Sequence, residues 1–369
     1  MLRLDCTARD GAARTGAVQA RAGPIQTPAF MPVGTRASVR GISSNELAAT
    51  GAEVVLANTY HLMLRPGADV VAAHGGLHRF MNWRGNILTD SGGYQVFSLR
   101  ARIEPDGARF RSPIDGSEVF LSPERCIQLQ HDLDADIIMQ LDDCTAYPAG
   151  FDDAARSMRL SLDWAARCRD AHGDHTSALF GIVQGSHHPE LRAESAAGLR
   201  DLGFAGYAIG GLAVGEPPEQ MRQTLRVTAP LLPEDQPRYL MGVGRPQDLV
   251  EAVHLGMDLF DCVLPTRAGR HGRLYTRRGE INLRNARWRT ETAAPDPECS
   301  CPCCANHSCA YLHHLHRCGE MLGAQLASLH NLHYYAELMR QMRSAIASGA
   351  LGAFRDEFYN LRCENPPES

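Results

Sequence analysis

The chain has 369 residues, 44% of them apolar, and a formal net charge of −5. That is enough apolar material for a large α/β core, and the acidic balance excludes a global basic field as the means of holding a nucleic acid. All 37 basic residues are arginine, which excludes Schiff-base chemistry, pyridoxal-phosphate anchoring and a Walker-A phosphate loop.

The opening residues, MLRLDCTARD, lack the apolar stretch of a signal peptide. No run reaches the roughly 18 apolar residues of a membrane span, so a cytoplasmic protein is expected. Asp10-Gly11 signals a hairpin, and residues 1–27 read as an N-terminal antiparallel β extension. Then a pattern recurs: an apolar run ending in a polar residue or glycine, followed by helical spacing. The runs are PAFMPVG (28–34), VVLAN (54–58), NILTD (86–90), DIIMQLD (136–142), ALFGIVQG (178–185), YAIGGLAVG (207–215), RYLMGVG (238–244) and DLFDCVLP (258–265). Continuous apolarity suits parallel strands buried on both faces. Between them, Ser43 and Glu46 form a capping-box pattern, and Ser122-Pro123 places a cap before a proline at the first helical position. Residues 152–172, 189–202, 218–229 and 246–256 read as helices, and Asp115-Gly116 as a second hairpin. Eight such units predict an α/β fold, a (β/α)8 barrel over 28–290, with an open doubly wound sheet as the alternative.

In a barrel, chemistry collects at the C-terminal ends of the strands. Here those ends supply Asn58, Asp90, Asp142, Gln184, Gly210-Gly211, Met241-Gly242 and Asp261. Three carboxylates at one mouth suit a retaining glycosyl transfer, in which an ionised carboxylate attacks the anomeric carbon and a second group manages protons. Each could equally cap the loop that follows it. Gly92-Gly93 and Gly210-Gly211 let backbone approach a flat ligand, and Tyr94 or Met241 could cover its face.

Residues 265–289 hold eight arginines and one acid, a local stripe suited to a phosphate backbone or to a salt-bridged surface. Five of the twelve cysteines fall within 299–309. Cys299, Cys301 and Cys304 have the spacing of a structural zinc site. Spacing alone leaves the fourth ligand open among His307, His313, His314, His316, His330, His333, Cys303, Cys309 and Cys318.

Together LANTYHL (56–62), TDSGGYQVFSL (89–99), DDC (142–144), IVQGS (182–186), GGLAVGE (210–216), YLMGVGRPQD (239–248), FDCVLPTRAGR (260–270) and the cysteine segment resemble the tRNA-guanine transglycosylases of the bacterial type, almost from end to end. The resemblance implies a barrel with a zinc-binding subdomain (291–335) and C-terminal helices completing the barrel (336–369). It implies exchange of the wobble guanine of GUN-anticodon tRNAs (Asp, Asn, His, Tyr) for 7-aminomethyl-7-deazaguanine through a covalent enzyme–tRNA intermediate, a step of queuosine biosynthesis. Asp261 is then the nucleophile and Asp90 the general acid/base. Ser91, Gly92, Gly93, Tyr94, Asp142, Gln184, Gly211, Leu212 and Met241 contact the base, with Glu216 helping to orient the Leu212 carbonyl. Gly242, Val243, Gly244, Arg245, Pro246, Gln247 and Asp248, with Thr266, Arg267, Ala268, Gly269 and Arg270, contact tRNA. Cys299, Cys301, Cys304 and His330 hold one structural Zn2+, and a homodimer is expected. Arg245 and Asp143 stand where the family often has lysine and glutamate. Two rival functions remain: a retaining glycoside hydrolase on the same barrel, and a non-catalytic zinc-dependent RNA-binding protein.

Overall fold

The computed structural model describes residues 2–99 and 101–364; residue 1 of the expected N-terminal extension and residues 365–369 of the expected C-terminal helices lie outside them. All eight apolar runs form parallel strands: Ala29–Pro32, Val54–Asn58, Asn86–Asp90, Ile137–Met139, Ala178–Val183, Gly206–Ile209, Arg238–Leu240 and Leu259–Cys262. In space the first lies beside the eighth, and the order descends from the eighth to the second. The ring closes where Val33 bridges Leu56 and the Gly34 N–H donates to Leu56 O at 2.7 Å. The expected barrel is therefore found, not the open sheet.

Side chains along a strand alternate between faces. One set points into the barrel and packs as its inner core: Ala29, Met31, Val54, Leu56, Leu88, Ile137, Met139, Phe180, Ile182, Ala208, Tyr239 and Leu259. Leu4, Val18 and Ile25 join the same cluster, so the N-terminal three-stranded sheet plugs one end of the barrel. Its first turn falls at Asp10-Gly11, as expected. The other face of each strand packs under the helices.

The predicted helices appear as Phe151–His172, Pro189–Leu202, Pro218–Thr228 and Pro246–His254. The capping box forms: Ser43 N–H donates to Glu46 Oε2 at 2.8 Å, and Glu46 N–H to Ser43 Oγ at 3.3 Å. Ser122 caps Pro123–Asp132 through the Arg125 N–H at 3.2 Å. The Asp115-Gly116 turn joins two strands of a three-stranded sheet spanning Arg102–Leu121, of which the sequence signalled only that turn. After the eighth strand, the helix Leu264–Arg270 and the hairpin Arg273–Asn282 lead into the cysteine segment. The helix Met321–Ala347 then carries His330 and runs unbroken across residues 335–336, where the expected subdomain boundary falls.

Candidate active site

The inward positions of the strands continue two residues past the apolar core, and there the chemistry changes. Leu56 is followed by Asn58, Leu88 by Asp90, Ile182 by Gln184, Tyr239 by Met241 and Leu259 by Asp261. The period of two thus carries one inward stripe from apolar packing to a rim that is polar except at Met241. Asp142 arrives differently: its strand ends at Met139, and Asp142 sits in the segment beyond. All six line one cavity of ≈ 390 Å³, within the range of small-molecule pockets.

Each carboxylate has its own partners. Asp261 Oδ1 accepts from the Tyr239 hydroxyl at 2.6 Å and from the Gly242 N–H at 2.8 Å. Burial pushes its pKa up, and these two donors oppose the shift by stabilising the anion. Asp90 accepts from Asn58 Nδ2, its register partner on the neighbouring strand, and from the Thr59 N–H at 3.1 Å. Burial, with Asp261 and Asp142 adding repulsion, drives Asp90 up to about 8 against those bonds. Asp142 Oδ2 accepts from Gln184 Nε2 at 2.6 Å, and burial pushes Asp142 up to about 6. At neutral pH the mouth therefore combines a protonated Asp90 with a mostly ionised Asp142.

The backbone closes around this cavity where glycine is required. Gly92 has φ +85°, and a Cβ on Gly93 would lie 2.3 Å from Asp142 Oδ1. Any side chain at Gly93 would displace the carboxylate. Gly211 has φ +65°, and a Cβ there would meet Gln184 Oε1 at 2.6 Å. Glu216 accepts from the Ala213 N–H and, at 3.0 Å, from the Val214 N–H. In a trans peptide the C=O points opposite to the N–H, so the Leu212 carbonyl faces away from Glu216. Ser91, Gly92, Gly93, Tyr94, Gln184, Gly211, Leu212 and Met241 all line the cavity, and Tyr94 is exposed at its rim.

The positions expected to meet tRNA divide. Gly242, Val243, Gly244, Arg245 and Asp248 line a second cavity with Arg267; it shares Gly242, Ala213, Cys262 and Val263 with the first. Arg245 and Arg267 are exposed. Pro246 opens the next helix, and Gln247 donates to Glu364 at 2.9 Å. Thr266, Ala268 and Gly269 are buried against the helix Met321–Ala347; a Cβ on Gly269 would lie 2.7 Å from the Ser328 backbone nitrogen. The side chains of Thr266 and Ala268 and the bare backbone of Gly269 pack the helix Leu264–Arg270 in place rather than facing solvent. Arg270 is half-buried, with Nη1 lacking a hydrogen-bond partner among the described residues. Within the arginine stripe, Arg273 pairs with Glu280 and Arg277 with Glu298, while Arg284, Arg287 and Arg289 are exposed.

Some site residues escaped sequence reasoning. Tyr239 is buried inside the barrel and read as core, yet its hydroxyl holds Asp261. Arg192 is fully buried; its Nε donates to Ser186 O at 2.7 Å, and its Nη1 to Val183 O and Gly210 O, both at 2.8 Å. It ties together the two strand ends that carry Gln184 and Gly211. The signal for Arg192 would have been an arginine on the strand-facing side of the helix Pro189–Leu202.

The cysteine segment resolves its own ambiguity. Ligand atoms of Cys299, Cys301, Cys304 and His330 lie within 4.8 Å of one another. His330 Nδ1 is 3.8, 3.4 and 3.2 Å from the three sulfurs, and its Nε2 is 2.8 Å from Tyr275 O. That bond to a carbonyl puts the proton on Nε2 and leaves Nδ1 for a metal. Three thiolates and an imidazole make a closed donor set that fits a structural tetrahedral zinc. Of the other candidates, His313 bonds Leu283 O at 2.6 Å, while His314 and Cys318 neighbour each other at 3.7 Å.

Comparison with known proteins gives concordant results. A family model described as queuine tRNA-ribosyltransferase matches residues 9–364. Relatives of that name include one from Hydrogenovibrio crunogenus, 53% identical over 99% of this chain and 100% of its own. Another, from Saccharophagus degradans, is 55% identical over 99% of this chain and 98% of its own. A third, from Methylobacillus flagellatus, is 56% identical over 95% of each chain.

Proposed function

The chain belongs to the queuine tRNA-ribosyltransferase family, and on that footing we propose that it exchanges the wobble guanine of GUN-anticodon tRNAs for 7-aminomethyl-7-deazaguanine. It is a tRNA-guanine transglycosylase, a pentosyltransferase of queuosine biosynthesis. Asp261 attacks the ribose anomeric carbon, guanine leaves, and the tRNA is held as a glycosyl ester. The incoming base then displaces Asp261, so configuration at the sugar is retained. Both bonds to Asp261 fall on Oδ1, so among the described residues Oδ2 is the oxygen free to attack.

Asp90 manages the protons. At about 8 it is protonated at neutral pH and can donate to the departing guanine; once ionised, it takes a proton from the incoming base. Asp142 and Gln184 read the polar edge of the base, and the Leu212 carbonyl, turned away from Glu216, accepts from the aminomethyl group. The target base must leave its stack in the anticodon loop to reach this cavity. Arg245, Arg267 and Arg270 then serve the phosphates. A 7-deaza product lacks N7 and is a poor leaving group, which makes exchange effectively one-way; rapid loss of the deaza base from modified tRNA to free guanine would sink that part.

Cys299, Cys301, Cys304 and His330 would hold a zinc that ties the cysteine segment to the helix Met321–Ala347; purified protein should contain one chelator-resistant zinc per chain. We place the enzyme in the cytoplasm with its tRNA and expect a homodimer.

The observation that carries the reading is a pair of buried carboxyls in one cavity: Asp261, whose two donors share one oxygen and leave Oδ2 open among the described residues, and Asp90, driven towards its acid form by burial and by its carboxylate neighbours. The test is incorporation of labelled guanine into unmodified GUN-anticodon tRNA. Wild type should incorporate it and Asp261→Asn should not. A zinc-replete wild type that binds tRNA and incorporates nothing overturns the enzyme and favours the RNA-binding reading.

A further inference from the structure

At the end of the barrel opposite the mouth, three histidines from three segments meet. His131 lies in the last turn of the helix Pro123–Asp132, His172 ends the helix Phe151–His172, and His175 lies in the loop leading to the fifth strand. One ring nitrogen from each lies within 4.8 Å of the others. His131 Nε2 and His172 Nδ1 are 3.1 Å apart, and the His131 and His175 rings stack with centroids 3.7 Å apart. His172 is buried, and it borders a surface cavity with His175, Asp174 and Arg169.

We propose that His131, His172 and His175 form a second metal site, taking a borderline divalent ion such as zinc, cobalt, nickel or copper. Neutral imidazoles are the donors such ions favour. Two nitrogens each about 2.0–2.1 Å from one tetrahedral ion stand about 3.3 Å apart, close to the His131–His172 separation. Burial first, and the neighbouring imidazoles second, push both His131 and His172 down to about 4, so both rings are uncharged at neutral pH.

Metal binding requires two local exchanges. The proton between His131 Nε2 and His172 Nδ1 moves to the other nitrogen of the ring that carries it, so that both facing lone pairs turn to the ion and both rings stay neutral. The Ser177 N–H now donates to His175 Nδ1 at 3.2 Å, and that bond is given up whichever ring nitrogen binds. If Nδ1 coordinates, its lone pair goes to the metal; if Nε2 coordinates, the proton moves to Nδ1. His175 must also tilt out of its stack with His131, a movement its loop position allows. Three ligands leave a fourth position for water. The site is far from the carboxylates along the barrel axis, so its role is to pin two helix ends and a loop together, and the base exchange does not depend on it.

The test uses protein whose Cys3His site is already filled with zinc, titrated with Co2+ alone. A second metal equivalent should bind with d–d absorption but without the thiolate-to-cobalt charge-transfer band that replacement at the cysteines would give. It should raise the Tm by several degrees. His175→Ala and His131→Ala should each abolish the second equivalent and the Tm rise, while keeping one zinc per chain and wild-type guanine exchange. Wild type saturating at one metal per chain overturns the proposal, as does a second equivalent that survives both substitutions.

Discussion

The two ends of the barrel treat buried carboxylates in opposite ways. Asp136 starts the fourth apolar run and Asp142 ends it; Asp258 starts the eighth and Asp261 follows three residues later. At the starts, Asp136 and Asp258 each have a cation. Asp258 takes a bidentate pair from Arg14, at 2.9 and 2.6 Å, with both side chains fully buried. Asp136 accepts from Arg21 at 2.7 Å and from His78 at 2.9 Å. At the ends, among the described residues, Asp90, Asp142 and Asp261 are held only by neutral donors: side-chain amides, hydroxyls and backbone N–H groups. Burial would raise Asp136 too, but His78, the Ile87 N–H and Arg21 outweigh it and hold it below the usual carboxylate range. The same chemical group is neutralised by a cation at one end of the barrel and, held by neutral donors, stores reactivity at the other.

The sharpest way to break the contrast is Asp261→Asn. It should lower guanine exchange by about 10⁴-fold or more while the fold persists, as read by single-turnover kinetics and circular dichroism. Exchange within tenfold of wild type would remove Asp261 from the chemistry. Asp90→Asn should cost about 10²- to 10⁴-fold. It also sharpens the contrast through pH. Between its unfolded pKa near 4 and its folded value of about 8, Asp90 binds more protons folded than unfolded, so it lowers stability as pH rises through that window. Asp136 has the reverse sign: its contribution is present above the unfolded value and lost as pH falls through the folded one. Denaturant midpoints measured from pH 5 to 8 should decline less steeply in Asp90→Asn; an unchanged slope contradicts the assignment.

Arg14→Leu strands Asp258 and should cost about 3–5 kcal/mol in urea unfolding, with exchange per folded molecule unchanged. A loss of activity without a loss of stability would erase the distinction between the two ends. Tyr239→Phe should have the smallest effect, about tenfold in exchange rate, with the acid limb of the pH–rate profile moved to higher pH as Asp261 loses a donor.

Much of this was legible in the sequence because it is periodic or local. Continuous apolar runs gave the strands, and their last residues gave Asp90, Gln184 and Asp261. Ser43-x-x-Glu46 and Ser122-Pro123 marked two helix starts because capping is decided within four residues. Partnership between distant segments was less visible. Tyr239 looks like core because it is core; only the inter-strand geometry aims its hydroxyl at Asp261. The fourth metal ligand could not be picked from spacing because His330 reaches the thiols across the fold from a separate helix. Thr266, Ala268 and Gly269 sit in an arginine-rich, solvent-like stretch, yet the helix Met321–Ala347 covers them.

The most direct test of the account asks which atom holds the RNA. Incubating the protein with GUN-anticodon tRNA, quenching in denaturant and resolving the products by electrophoresis should show a denaturation-resistant protein–tRNA adduct. Peptide mapping should place the attachment at Asp261, and Asp261→Asn should form none. An adduct that persists in Asp261→Asn, or that maps to Asp90, would contradict the division of labour between the two carboxyls.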